Sequence, residues 1–154
     1  MISYKGDQLS LSELEKHSEC AIPHVVSAIG SIVTANCGGQ PKVLRLTSGH
    51  LVYTQRGLQP AGDLTKDDVL FSDLAEQHQC QIVTVEKEKT VQKYFGLNCY
   101  ESQVLASGLK SSTFEKIHSV PSFWMAIMGR VLGIKQASAI GDHIADLVAK
   151  LNLI

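Results

Sequence analysis

This sequence has little of what usually gives a function away. Charge of one sign is absent: 14 Lys and Arg face 15 Asp and Glu, for a formal net charge of −1. No basic footprint for nucleic acid or an anionic membrane surface is present. Long apolar runs are absent too. The best candidate, "VPSFWMAIMG", is about half the roughly 20 residues that a spanning helix needs, and Arg130 follows at once. At the amino end, "ISYKGDQLSLSELEK" lacks the apolar stretch of a secretory leader. The four cysteines, Cys20, Cys37, Cys80 and Cys99, show no Cys-x-x-Cys spacing, so neither a zinc site nor any other metal or cofactor is expected. Four cysteines are also sparse for a disulfide-built scaffold of this length. They read as small buried or half-buried thiols. From Cys20 through Gly62 there is neither Asp nor Glu.

What is present is a chain of 154 residues, 44% hydrophobic and 19% charged. That composition suits one soluble domain with a sizeable core and excludes a disordered chain. The first three quarters read as β. "MISYK" is a short strand ending at Gly6, and "LSLSELEK" is a short helical turn that Ser10 or Ser12 could cap. "IPHVVSAIGSIVTA" is rich in Val and Ile and broken by Gly30; the turn "NCGGQP" follows. "KVLRLT", "HLVYT", "DDVLFS" and "CQIVTVEKEKTV" are further strands. "QKYFGLNCYESQVLASGLKSSTF" gives two short strands around a turn at Gly96–Asn98, with another turn at Gly108. The charge run "EKEK", residues 86–89, reads as a solvated hairpin tip. Many short strands with regular turns predict a small sandwich or barrel.

The last quarter changes period. Val120, Phe123, Trp124, Ile127, Met128, Val131 and Leu132 make one apolar helix face. Gly133 is a break. A second helix carries Ile140, Ile144, Leu147, Val148 and Leu151 on one face. Both faces are expected to pack on the β body; the sharper alternative is a lipid- or partner-binding surface centred on Trp124.

Thr47 and His50 lie three apart in "VLRLTSGHLVYT". Thr before Ser-Gly is ordinary turn chemistry, and a half-buried polar His would be unremarkable there. The alternative is a catalytic pair, with both side chains facing one point across a bend that Gly49 permits.

The order of the segments favours the second alternative. "LRLTSGHLVYT", then "LQPAGDLTKDDVLF", then "YFGLNCYESQVLASGLKSSTF" resembles the Hint domain, the self-processing module shared by hedgehog C-terminal regions and inteins. Thr47 and His50 match a strand ending in Leu-Thr-x-x-His. Ala61, Leu64, Asp68 and Val69 match the next block, with Asp67 where Gly is usual, and Gly108 matches the last. "MISYKGDQLSLSEL" is similar to the opening strand, turn and helical turn. The resemblance spans residues 1–114 and implies a mainly β, twisted Hint-like fold. Residues 115–154 form a helical extension of the same domain.

The resemblance implies autocatalytic cleavage. A Cys attacks the carbonyl before it, an N-to-S acyl shift. His50 protonates the leaving nitrogen and Thr47 grips the scissile peptide. In the family the nucleophile lies several residues before the first strand, so it is expected upstream of Met1, and the chain from Met1 onward is not expected to make the first cut alone. The substrate partner would be a domain fused at the amino side, with a small nucleophile as acceptor. Ser111, Ser112 and Thr113 stand where inteins carry the His-Asn pair that cuts their second junction, which points to hedgehog-type, one-sided cleavage. Hedgehog proteins use an Asp ahead of the motif to activate a sterol. None is present here, so water or another thiol is the expected acceptor. His24 is the nearest titratable residue for general-base work, or a plain strand-end histidine. Cys99 could exchange thioesters, pair with an upstream thiol, or be a small buried residue. A hydrolase using Cys99 with His50 lacks any nucleophile elbow. The non-enzymatic alternative is an inactive Hint fold kept as an interaction or regulatory module. A hedgehog-like parent would pass through the secretory route; otherwise the chain would be cytoplasmic.

Overall fold

The computed structural model describes residues 2–4, 7–9, 20–21, 25–115 and 120–151. The chain is mainly β, with many short antiparallel strands followed by two helices. The strands are β1 (Ile2–Tyr4), β2 (Asp7–Leu9), β3 (Cys20–Ala21), β4 (Val25–Ala28), β5 (Ser31–Cys37), β6 (Gln40–Leu46), β7 (His50–Thr54) and β8 (Gly57–Pro60). After a 3-10 turn at Ala61–Asp63 come β9 (Val69–Phe71), β10 (Gln79–Lys87), β11 (Gln92–Phe95), β12 (Asn98–Cys99), β13 (Gln103–Ala106) and β14 (Leu109–Glu115). Helices α1 (Ser122–Leu132) and α2 (Ile134–Lys150) close the chain. The expected helical turn at residues 10–16 lies outside the described residues.

Six strands form one sheet in the order β2-β1-β13-β14-β7-β8, and four form another, β6-β5-β10-β9. Two ribbons, β4 with β11 and β3 with β12, complete the body. The core follows the period-2 rule for half-buried strands. Val33 and Ala35 of β5 and Leu44 and Leu46 of β6 point inward, while Val43 and Arg45 point out. Val52, Leu70 and Leu109, none of them accessible, join them from β7, β9 and β14.

The cysteines differ from the expected free thiols. Cys20 bonds to Cys99 and Cys37 to Cys80. Cys20 and Cys99 are directly opposed on β3 and β12. Cys37 and Cys80 stand one position beyond the Asn36–Gln81 pair of β5 and β10. Strand pairing, invisible in sequence spacing, is what brings each pair together. The bridges close sequence separations of 79 and 43 residues, each worth about 4 kcal/mol in the chain-entropy account.

The helices correct a second expectation. Gly133 does separate them, with φ of 87°. Yet the faces turned inward only partly match those the apolar period suggested: Val120, Trp124 and Met128 do join the helical core. On α2 the buried residues are Ile134, Ala137, Ser138, Gly141 and Ala145, while Ile140, Ile144, Leu147 and Leu151 are exposed. On α1, Met125 is buried while Phe123, Ile127 and Val131 stay exposed. The cause is steric. A Cβ on Gly129 would meet the Tyr100 ring at 2.6 Å, and one on Gly141 would meet Val120 at 2.7 Å and Trp124 at 2.9 Å. Two bulky rings need small residues opposite. Trp124 turns inward, its indole N–H donating to the Ala137 carbonyl at 3.0 Å. A buried bond from Asn98 Nδ2 to Ser138 Oγ, 2.8 Å, ties α2 to β12.

Asp68, buried in the loop before β9, fastens the β7–β8 turn. Arg56 donates to it twice, Nε to Oδ1 at 2.7 Å and Nη2 to Oδ2 at 2.8 Å. Gln55 Nε2 and the Thr65 amide add bonds of 3.0 Å each. The Arg56 guanidinium, with help from these donors, lowers the Asp68 carboxyl from 3.8 to about 2. Its charged form is the one the fold holds, so its stabilising contribution is complete above about pH 4 and is lost as pH falls towards 2. Asp68→Asn should lower the unfolding free energy by about 2 kcal/mol at neutral pH and flatten the acid limb of stability measured by urea denaturation between pH 4 and 2. An unchanged acid limb would show that Asp68 does not govern it.

Candidate functional site

The chain changes sheets between β6 and β7, and Thr47, Ser48 and Gly49 make that change. The His50 amide donates to the Thr47 carbonyl at 3.1 Å, closing a tight turn. Gly49 is not left-handed, so the bend does not draw on the glycine's special freedom, contrary to the sequence expectation. Ser48 braces the turn twice: its carbonyl accepts from the Gly62 amide at 2.9 Å and its hydroxyl meets Ser31 Oγ at 2.8 Å. Thr47 and His50 are both half-buried.

His50 begins β7, which pairs with β14. The pairing slips between Ser111 (opposite Val52) and Glu115 (opposite His50). Ser112 sits in that irregularity. Its Oγ donates to the Leu51 carbonyl at 2.6 Å and accepts from the Phe114 amide at 3.0 Å. The bulge turns the Ser112 carbonyl towards His50, whose Nε2 lies 2.7 Å away. A carbonyl only accepts, so Nε2 must carry a proton. In the neutral ring Nδ1 is then the nitrogen without a proton.

The other candidates stand differently. Cys99 is bonded to Cys20 and buried, so it offers no thiol for exchange and no nucleophile for a hydrolase. That corrects its catalytic assignment in favour of pairing with an upstream thiol. His24 lies outside the described residues. Ser111 and Ser112 are buried on β14.

The register of β1 sets where an upstream segment begins. Ile2 stands opposite Ala106, which stands opposite Leu109. Ser112 lies three residues farther along β14, in the direction that β1 itself runs, and two strands over. At about 3.3 Å per residue and 4.8 Å per strand, the separation is roughly 14 Å. Because β1 runs towards that row, a segment attached ahead of Ile2 has to turn back to reach Ser112, and needs more than the about four residues of a direct extended path.

Sequence reading missed a polar group beside this turn. In the run "EKEK", Glu86 and Lys87 end β10, but Glu88 is buried, 7% exposed. It is not a solvated hairpin tip. Its amide donates to the Gly30 carbonyl at 2.9 Å, and its Oε2 lies 3.9 Å from Arg45 Nη1. No charge pattern separates Glu88 from Glu86. The one sequence signal was Gly30 in a run of Val and Ile.

No protein-family model and no curated protein matches the sequence. Among solved structures, the chain is similar to the crystal structure of the gp41-1 intein, at 14% identity and a TM-score of 0.46, covering 60% of this chain and 72% of the other. A crystal structure of a three-substitution variant of that intein gives the same figures.

Ser112→Ala should cost about 2 kcal/mol, because it leaves the Leu51 carbonyl and the Phe114 amide without their partner. Urea unfolding measures this. A loss under about 0.5 kcal/mol, the usual range for an uninvolved surface change, would mean the bulge does not rely on that hydroxyl.

Proposed function

We propose that the chain is a Hint-type autoprocessing module that cleaves a peptide bond on its amino side. The observation that carries this reading is the pinning of His50. A Thr-x-x-His turn sits at a change of sheets, and the histidine ring is oriented through its Nε2 bond to the Ser112 carbonyl. In the first step the sulfur of an upstream cysteine attacks the carbonyl before it. The C–S bond forms, the C–N bond breaks, and the thiol proton ends on the freed amine by way of His50. Thr47 holds the scissile peptide through its hydroxyl. The thioester is then resolved by an added nucleophile. Cleavage is one-sided, because Ser112 and Thr113 supply neither the acid nor the cyclising amide that a second cut needs. The substrate is the fused amino-terminal segment itself.

A second reading, a Hint-like fold retained as an interaction module, draws on the row of exposed Phe123, Ile127 and Val131 on α1. It predicts no cleavage in any fusion.

The test is a fusion carrying a reporter domain and a linker cysteine ahead of Ile2. Hydroxylamine serves as the probe nucleophile, because thiols would open the two disulfides. Cleavage should appear when the cysteine lies far enough before Ile2 for the linker to turn back to the corner, on the order of six or more residues, and fail when it adjoins Ile2. His50→Ala should slow it roughly 100-fold or more, the usual worth of a positioned acid. Thr47→Ala should slow it less. An intact fusion at every spacing, or unchanged cleavage in His50→Ala, would contradict the proposal.

A further inference from the structure

A buried polar group lies in the row of Thr47, two strands over, and one of its carboxylate oxygens has no hydrogen-bond partner among the described residues. Lys87 stands opposite Ser31, and Ser31 opposite Leu46. One position on, Glu88, Gly30 and Thr47 follow as the next row across the same three strands. Opposed residues of antiparallel strands project to one face. That face carries Arg45 beside Thr47, Ile32 beside Gly30 and Glu86 beside Glu88. Gly30 sits in the middle with no side chain. A Cβ there would overlap the Tyr94 hydroxyl and lie 2.5 Å from the Leu46 carbonyl oxygen. Tyr94, from β11, therefore reaches in over Gly30, between Glu88 and the turn. The Glu88 side chain is 3% exposed, and its Oε2 is 3.9 Å from Arg45. Among the described residues, Glu88 Oε1 and Tyr94 Oη are buried with no hydrogen-bond partner.

Two unpaired buried oxygens around a single glycine are costly. One small molecule with a donor and an acceptor on the same atom satisfies both: water gives a hydrogen to Glu88 Oε1 and accepts one from Tyr94 O–H. We propose that Glu88 holds and activates the water that resolves the thioester formed at the Thr47–His50 turn, with Tyr94 positioning that water, so that the module ends its reaction by hydrolysis.

This rests on the processing function proposed above. In the step, the water oxygen bonds to the acyl carbon and the C–S bond breaks. One water proton passes to Glu88, which returns it through solvent to the departing thiolate. The products are a free carboxylic acid on the released segment and a free thiol on the module. No other reactant is needed.

The experiment uses the reporter fusion in two arms: spontaneous cleavage in water enriched in oxygen-18, and cleavage by hydroxylamine. In the parent, the released segment should carry one heavy oxygen in its new carboxyl group. Glu88→Gln should slow the spontaneous arm roughly 100-fold, the usual worth of a general base, and leave the hydroxylamine arm within about two-fold. Tyr94→Phe, which keeps the ring over Gly30, should slow the spontaneous arm several-fold. If parent fusions resist hydroxylamine, the processing function itself fails and this inference with it. If hydroxylamine cleaves the parent but Glu88→Gln hydrolyses at the parent rate, only the role of Glu88 fails. Slowing of both arms together in Glu88→Gln and in Tyr94→Phe would mark a structural role and overturn the proposal.

Discussion

The structure depends on one hydrogen bond at the place where the chain changes sheets. His50 opens β7, and its Nε2 lies against the Ser112 carbonyl of β14 at 2.7 Å. The four-stranded sheet ends at Leu46 and the six-stranded sheet takes up at His50, so this contact and the Ser48–Ser31 bond on the other side hold the corner between two layers. It also sets chemistry. Because the accepting atom is a carbonyl, the imidazole is oriented and its tautomer assigned. A histidine so held is preorganised, and the processing proposed above would use the orientation that this bond sets.

Around this corner the fold adds fasteners, not bulk. Two disulfides join opposed strands, so each fixes a register as well as a loop. Asp68 draws five donors onto one carboxylate and locks the β7–β8 turn, which lies on the strand that begins with His50. On the far side, the helices approach through Gly129 and Gly141 so closely that their larger apolar residues are left outside. Burial near Glu88 runs the other way: a charged side chain is enclosed under Tyr94 with one oxygen unpaired. Proteins keep such costs chiefly where function uses them.

Much of this was legible in the sequence. Strand content, the helical tail, the Gly133 break and the Thr47–His50 turn follow from alternation, period and turn chemistry. What was hidden depends on pairing between distant segments. Cysteine spacing says nothing about which strands lie opposite each other, so the disulfides and the loss of the Cys99 thiol were invisible. Apolar period placed Val120, Trp124 and Met128 in the core but also chose residues that stay outside on both helices, since it weighs side-chain size and not the close approach that Trp124 and Tyr100 demand. Glu88 looked like its neighbours in a charge run. Only a third strand, bringing Tyr94 over Gly30, makes it different.

The most direct measurement is the nitrogen-15 spectrum of His50 in the folded chain, with the imidazole neutral. The account predicts the proton on Nε2, slowed in exchange with water, and a scalar coupling across the bond to the Ser112 carbonyl. A neutral ring protonated on Nδ1, or one averaging rapidly between tautomers, would contradict it, for the corner would then be held by something else and His50 would not be aimed.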